Sequence, residues 1–266
     1  MTNSDTSLPV VDRATHLVRQ LSVADGLLLG LDFDGTLTPI ARDPDAPTLP
    51  ESVERSLRTL ASRPDTQVAI ISGRELDDLR GRATISDVIY AGNHGLELYR
   101  DGNETVVGVT EQQQAALRKI YTRLRSTVSD VPGCHIEDKG VTLTVHVRET
   151  PPGRVEKVRD AVVTVTGETG DVHVTTGKQV FEIRPSVDHD KGTTMQHLED
   201  EVPADWLTLY LGDDTTDEDA FEAIQPEGVG IHVGTNTDTA AAYRIATQED
   251  VPTFLTWLTQ RSRFGR

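Results

Sequence analysis

Leu27-Leu28-Leu29-Gly30-Leu31-Asp32-Phe33-Asp34-Gly35-Thr36-Leu37-Thr38 decides how this 266-residue chain is read. A short continuous apolar run closed by a turn is the pattern of a strand buried on both faces of a parallel sheet. Asp32 and Asp34 stand two apart at its carboxyl end, where open parallel sheets place their sites. The Gly35-Thr36 turn lets backbone N–H groups face a bound anion.

Working outward, the same texture recurs. Residues 67–71 form an apolar strand ending in Ser72-Gly73-Arg74, and 88–91 another ending in Gly92-Asn93-His94-Gly95. Residues 206–211 run into Gly212-Asp213-Asp214, and 228–233 give one more strand. Helical periodicity fills 52–62, 75–82, 191–200, 217–224 and 251–262. Between these the texture changes. A hairpin at 96–107 turns on Asp101-Gly102-Asn103, and a long helix covers 111–128. Strands at 135–137 and 141–148, a helix at 155–166, and strands at 172–175 and 179–184 follow. The expected fold is α/β: a Rossmann-like parallel-sheet core, 25–97 and 185–266, with an inserted α+β cap domain at 98–184. Residues 1–24 are an N-terminal tail and leading helix, with 1–12 read as a flexible tail outside the fold and not a signal peptide. Residues 235–239 read as a helix-capping loop.

Asp and Glu total 43 against 26 Lys and Arg, a net charge of −17, and only five of the basic residues are lysines. Such a surface repels nucleic acid and anionic membranes. It resembles the surfaces of proteins from high-salt cytoplasm. No apolar run is long enough for a membrane span. The single cysteine, Cys134, excludes an intrachain disulfide and fits a cytoplasmic setting.

Ser72-Gly73-Arg74 offers a hydroxyl and free N–H groups where a strand gives way to a helix, an arrangement that suits phosphate or an ordinary cap. Lys191, in Asp190-Lys191-Gly192, stands at a helix start, where a cation opposes the helix dipole unless it serves an anion. In Gly212-Asp213-Asp214-Thr215-Thr216-Asp217-Glu218, three Asp within five residues repel one another unless a cation sits among them. Carboxylate oxygens without nearby His or Cys favour magnesium over zinc.

These four segments, in this order, resemble the haloacid dehalogenase-type phosphatases with a type-2 cap. The likeness is closer to the trehalose-6-phosphate phosphatase family, carried by Asp32–Leu37, Ile71–Arg74, Gly92-Asn93-His94-Gly95-Leu96-Glu97 and Gly212–Glu218, and by segments at 137–148 and 177–185. The resemblance implies a magnesium-dependent hydrolase of trehalose 6-phosphate, acting through an aspartyl-phosphate at the last step of trehalose biosynthesis. It implies Asp32 as nucleophile and Asp34 as acid and base, with Ser72 and Lys191 on the phosphoryl oxygens. It also implies that Asp217 orients Lys191 and that Asp32, Asp34 (through its backbone carbonyl), Asp213 and Asp214 form the metal set, with the choice between Asp213 and Asp214 as direct ligand open. For substrate binding it implies Gly73, Arg74, His94, Glu97, Glu137, Lys139, His146, Arg148, Lys178 and Glu182. By strand periodicity 137 and 139 share one face, as do 146 and 148. A sugar phosphate is the expected small-molecule partner and a trehalose-6-phosphate synthase the candidate protein partner. A phosphatase of sucrose 6-phosphate or a glycosyl-glycerate phosphate, and a non-catalytic sugar-phosphate sensor, stay open as alternatives.

Overall fold

The structure, a computed structural model, describes residues 8–40, 48–169, 171–177 and 179–261. The chain divides into two units, Met1–Thr105 with His189–Arg266, and Val106–Asp188. In chain order it runs β1 (Leu8–Pro9), α1 (Val10–Val23), β2 (Gly26–Asp32), α2 (Glu51–Ala61), β3 (Thr66–Ile71), α3 (Leu76–Arg82), β4 (Val88–Gly92), β5 (Glu97–Arg100) and β6 (Asn103–Val106). The second unit follows with α4 (Glu111–Thr127), β7 (His135–Asp138), β8 (Leu143–His146), α5 (Pro152–Gly167), β9 (Val172–Gly177) and β10 (Val180–Pro185). The chain then returns through α6 (Lys191–Glu201), β11 (Trp206–Gly212), α7 (Glu218–Ala223), β12 (Val229–Val233), β13 (Tyr243–Ile245) and α8 (Val251–Arg261).

Among the described residues the first unit's sheet has the order β1-β13-β12-β11-β2-β3-β4-β5-β6. Pairing is parallel from β1 through β4 and antiparallel between β4 and β5. From β2 the chain builds outward through β3 and β4, then returns to place β11 on β2's other side, so the strand order reverses at β2 and β11. Parallel sheets open a crevice at the carboxyl ends of such strands. The alternation within β2 explains the layers. Leu27, Leu29 and Leu31 join the core that includes Leu57, Leu60, Leu255 and Leu258 of α2 and α8. Leu28 faces the other way, into a core with Met195 and Leu198 of α6 and Phe221 of α7. A Cβ on Gly30 would stand 2.5 Å from Met195 Sδ and 2.6 Å from the Tyr210 ring, so glycine is what lets α6 close on the sheet.

Three features depart from the sequence reading. Residues 8 and 9 are not outside the fold: β1 pairs parallel with β13 at the sheet edge, where a proline's missing N–H is tolerated. The segment 235–239 caps no helix; Asn236 Oδ1 accepts the Asp238 N–H at 3.0 Å in a turn that leads to β13. The hairpin of β5 and β6 extends the nine-stranded sheet, with Gly92 opposite Glu97, whereas the sequence reading opened the cap at residue 98.

The second unit is a four-stranded antiparallel sheet, β7-β8-β10-β9, backed by α4 and α5. A capping box starts α4: Thr110 Oγ1 accepts the Gln113 N–H at 3.2 Å, and Gln113 Oε1 accepts the Thr110 N–H at 2.9 Å. Val145, Phe181 and Ile183 pack with Leu117, Ile120, Val158 and Val162. Register leaves the alternate residues on the opposite face. Glu137, Thr144, Glu182 and Thr175 form one row across all four strands, and His135 and His146 the next pair.

Candidate active site

Asp32 ends β2, and Asp213 and Asp217 follow β11, the neighbouring strand. Asp190 caps α6, its Oδ1 accepting the Thr193 N–H at 2.8 Å, which makes Lys191 the first helical residue. The Lys191 side chain is only 3% exposed, and its ammonium donates to Asp32 Oδ1 at 2.7 Å and Asp217 Oδ1 at 2.6 Å. Burial alone would lower Lys191, but the two carboxylates hold it above the ordinary lysine value.

Asp217 is saturated. Its Oδ1 also accepts the Tyr210 hydroxyl at 2.8 Å, and its Oδ2 accepts the N–H groups of Asp213 and Asp214 at 3.0 and 2.9 Å. That suits a residue that orients Lys191. Asp32 differs: its Oδ2 is buried with no hydrogen-bond partner. Burial, with Asp217 and Asp213 close by, pushes the Asp32 carboxyl well above the ordinary range, and Lys191 opposes this. Burial and Asp217 likewise push Asp213 up to about 6, against the Thr36 hydroxyl that donates to it at 3.1 Å.

These residues fit a hard divalent cation. Carboxylate oxygens of Asp32, Asp213 and Asp217 lie within 4.8 Å of one another. An orphaned buried oxygen and two acids forced upward are what a cation would relieve. Gly35, at φ +94°, lies so close that a Cβ there would collide with the Asp213 carboxylate. Asp214 does not join the cluster. It is exposed and its Oδ1 accepts its neighbour Thr215's N–H at 2.7 Å, a local cap that turns the carboxylate away.

Ser72 is buried, its Oγ accepting the Arg74 N–H at 3.2 Å. The Arg74 guanidinium lies on Asp34, with Nε to Oδ2 at 2.6 Å and Nη2 to Oδ1 at 2.7 Å. Asn93 and His94 take left-handed φ values of 49° and 59°, unusual for non-glycine residues. The conformation is held by Asn93 N–H to Arg74 O at 2.6 Å and His94 N–H to Ser72 O at 2.8 Å, which zip this loop to the Ser72 loop. The His94 ring covers Gly73, where a Cβ would stand 2.7 Å from Nε2. Glu97 ties the same loops, accepting from Asn93 Nδ2 at 2.6 Å and Leu76 N–H at 3.3 Å.

In the second unit Glu137 and Glu182 share the sheet's polar face, and His146 Nε2 meets Glu137 Oε2 at 2.8 Å. That contact holds the Glu137 carboxyl below its ordinary value. Lys139 and Arg148 lie just past the ends of β7 and β8, so strand periodicity does not fix their direction; Lys139 is in a turn closed by its N–H to Thr142 O at 3.0 Å. Lys178 lies outside the described residues. Sequence reasoning missed Tyr210, whose signal was one tyrosine two residues before the end of a buried strand that also carries Thr208, and Thr36.

A sequence model described as trehalose-phosphatase matches residues 30–250. The trehalose-phosphate phosphatase of Mycobacterium ulcerans is 38% identical over 237 residues, covering 84% of this chain and 59% of that protein. Its Mycobacterium tuberculosis counterpart is 36% identical over 260 residues, covering 92% of this chain and 66% of that one. The chain therefore spans less than two thirds of the length of these relatives. The C-terminal domain of Candida albicans trehalose-6-phosphate phosphatase superposes with a TM-score of 0.77 at 26% identity, covering 97% of this chain and 99% of that one. A haloacid dehalogenase-like hydrolase from Bacteroides thetaiotaomicron, 13% identical with a TM-score of 0.65, covers 88% of this chain and 99% of that one and shares the fold alone. With its motifs at the ends of β2, β3 and β11 all inside the matched span, the chain belongs to the trehalose-phosphatase family.

Proposed function

We propose that the chain is a magnesium-dependent phosphatase that hydrolyses trehalose 6-phosphate to trehalose and inorganic phosphate through an aspartyl-phosphate on Asp32. The observation that carries the reading is the asymmetry of Asp32: Oδ1 is held by Lys191 and Oδ2 has no partner. Asp32, Asp213 and the backbone carbonyl of Asp34 would hold magnesium, which when bound supplies the positive charge that admits a phosphate dianion among carboxylates.

Asp32 attacks phosphorus as a carboxylate nucleophile; an Oδ–P bond forms and the P–O bond to the sugar breaks. Asp34 gives its proton to the departing sugar oxygen. It then takes a proton from water as that water attacks phosphorus, and the Oδ–P bond breaks to free Asp32 and phosphate. Ser72 and the Lys191 ammonium hold phosphoryl oxygens, and Asp217 keeps the ammonium aimed. Sugar recognition is assigned to the second unit, as a cap, through the row of Glu137 and Glu182 with His146, Lys139, Arg148 and Lys178. The carboxylates of Glu137 and Glu182, with His146 on the same sheet face, suit the hydroxyl field of a disaccharide, and the cations are added on the family resemblance. A synthase partner rests on the family resemblance; a cytoplasmic, high-salt setting rests on the acidic, lysine-poor composition and single cysteine.

Phosphate release from trehalose 6-phosphate, sucrose 6-phosphate and a glycosyl-glycerate phosphate, with and without magnesium, tests the proposal. Turnover should be greatest on trehalose 6-phosphate and vanish in EDTA. Release from none of them would leave a sensor as the better reading, and preference for another sugar would move the substrate.

A further inference from the structure

Beyond the residues assigned to the reaction, α3 carries a chain of charges that ends on Asp34. Arg74 occupies both oxygens of Asp34, and its remaining Nη1 donates to Asp78 Oδ2 at 2.8 Å. Asp78 is in turn gripped by Arg82, whose Nε lies 2.8 Å from both of its oxygens and whose Nη2 lies 2.7 Å from Oδ1. The Arg74 and Arg82 side chains are 14% and 12% exposed, and the Arg74 guanidinium also stacks 5.7 Å from the Phe33 ring centroid.

We infer that Asp78 is a positioning residue for Asp34, acting through Arg74 with Arg82 as its anchor. The inference rests on the acid–base role proposed above for Asp34. A guanidinium fork that takes both carboxylate oxygens fixes the plane of the carboxyl as well as its place. Arg74 can do this only if its own long side chain is located. Phe33 supplies one face, and Asp78 supplies the hydrogen bond that sets its rotation. Asp78 and Arg82 sit one turn apart on α3, which buries Leu76 and Leu79, so the arrangement is anchored to the core. A helical ion pair of this spacing contributes only modestly to stability. Its worth here is geometric, since small misplacements of a reacting group cost rate out of proportion to stability. Asp34 has to move off the fork to meet a leaving oxygen, and the fork gives it a defined place to return to.

The test is a double-mutant cycle with p-nitrophenyl phosphate and trehalose 6-phosphate. Asp78→Asn in the otherwise unchanged protein should lower kcat about 10-fold, within the range seen for residues that orient reacting ones. KM should stay within about twofold, because no phosphate contact is touched. In an Asp34→Asn background the same change should have no further effect, since the group it positions is gone. An undiminished kcat for Asp78→Asn, or an equal loss in both backgrounds, overturns the inference while leaving Asp34's role standing. If Asp34→Asn alone turns over within tenfold of the parent, the acid–base reading itself fails, and the inference with it. Should Asp78→Asn not fold, Arg82→Gln, which removes the anchor of Asp78, carries the same prediction in the same cycle.

Discussion

Replacing Lys191 by methionine removes one positive charge from between two carboxylates and nearly keeps the stem's volume. The ammonium lies 2.7 Å from Asp32 and 2.6 Å from Asp217 on a side chain 3% exposed. At an effective dielectric of 20 each contact is worth about 6 kcal/mol of Coulomb attraction, largely offset by the desolvation of three ions. Deletion leaves the acids uncompensated, which costs about 3–5 kcal/mol. Asp217 keeps the Tyr210 hydroxyl and two N–H donors, so most of the cost falls on Asp32. The sign with pH follows. Asp32 already sits above the ordinary range, and losing Lys191 drives it higher. A folded state that binds its proton more tightly than the unfolded chain is stabilised at low pH and loses that stability as pH rises through the folded value. The deficit of Lys191→Met should therefore be wider at pH 8 than at pH 5. Trp206 and Trp257 both lie in the first unit, so tryptophan fluorescence during urea unfolding in EDTA reports the affected part. Turnover should fall about 10²–10³-fold. A variant as stable as the parent at pH 8, or one more damaged at pH 5, would refute the reasoning.

Three further outcomes can be checked. With Asp213 pushed up to about 6 and Asp32 well above the ordinary range, magnesium binding near pH 6 should expel protons, so calorimetric heats should depend on buffer ionisation enthalpy there; equal heats in all buffers at pH 6 would contradict the assignment of these two carboxylates to the metal. Glu137→Ala should cut kcat/KM on trehalose 6-phosphate about 10-fold or more while leaving p-nitrophenyl phosphate within about twofold, because lost sugar contacts remove positioning energy only for a substrate with a sugar; equal losses would return the row of Glu137 and Glu182 to a solvated surface. With a net charge of −17, melting temperature and apparent substrate affinity should both rise between 0.1 and 2 M KCl, as screening at about 3 Å in molar salt weakens self-repulsion. An unchanged melt with best activity in dilute buffer would mark an ordinary acidic protein.

The parallel core was legible because strands buried on both faces appear as apolar runs, and chemistry gathers where those runs stop. Asp32, Ser72 and Asp213 each follow such a run. What the sequence hid was short, or was direction. Two residues of β1 and three of β13 are too few to show a period. The hairpin of β5 and β6 alternates in the same way whichever sheet it extends, and only pairing with β4 settles its place. The resemblance implies Arg74 as a substrate-binding residue; the sequence does not show that its guanidinium lies between two carboxylates, Asp34 and Asp78. Asp214 looked equivalent to Asp213 in sequence; their side chains part because a short helical turn needs a cap and one of them supplies it. In the second unit the alternation held for Glu137, His146 and Glu182, and ended before Lys139 and Arg148 because the strands are only four residues long there.

The most direct test of the central claim is to find where the phosphoryl group goes. Asp34→Asn keeps the carboxylate nucleophile of Asp32 but lacks the base that activates water, so an acyl phosphate should outlive a rapid acid quench. Mass spectrometry of the quenched, magnesium-loaded variant after mixing with trehalose 6-phosphate should find one added phosphoryl group on the peptide carrying Asp32, and none when Asp32→Asn is introduced as well. Phosphate on any other residue, or an Asp32→Asn protein that still turns over within tenfold of the parent, would contradict it.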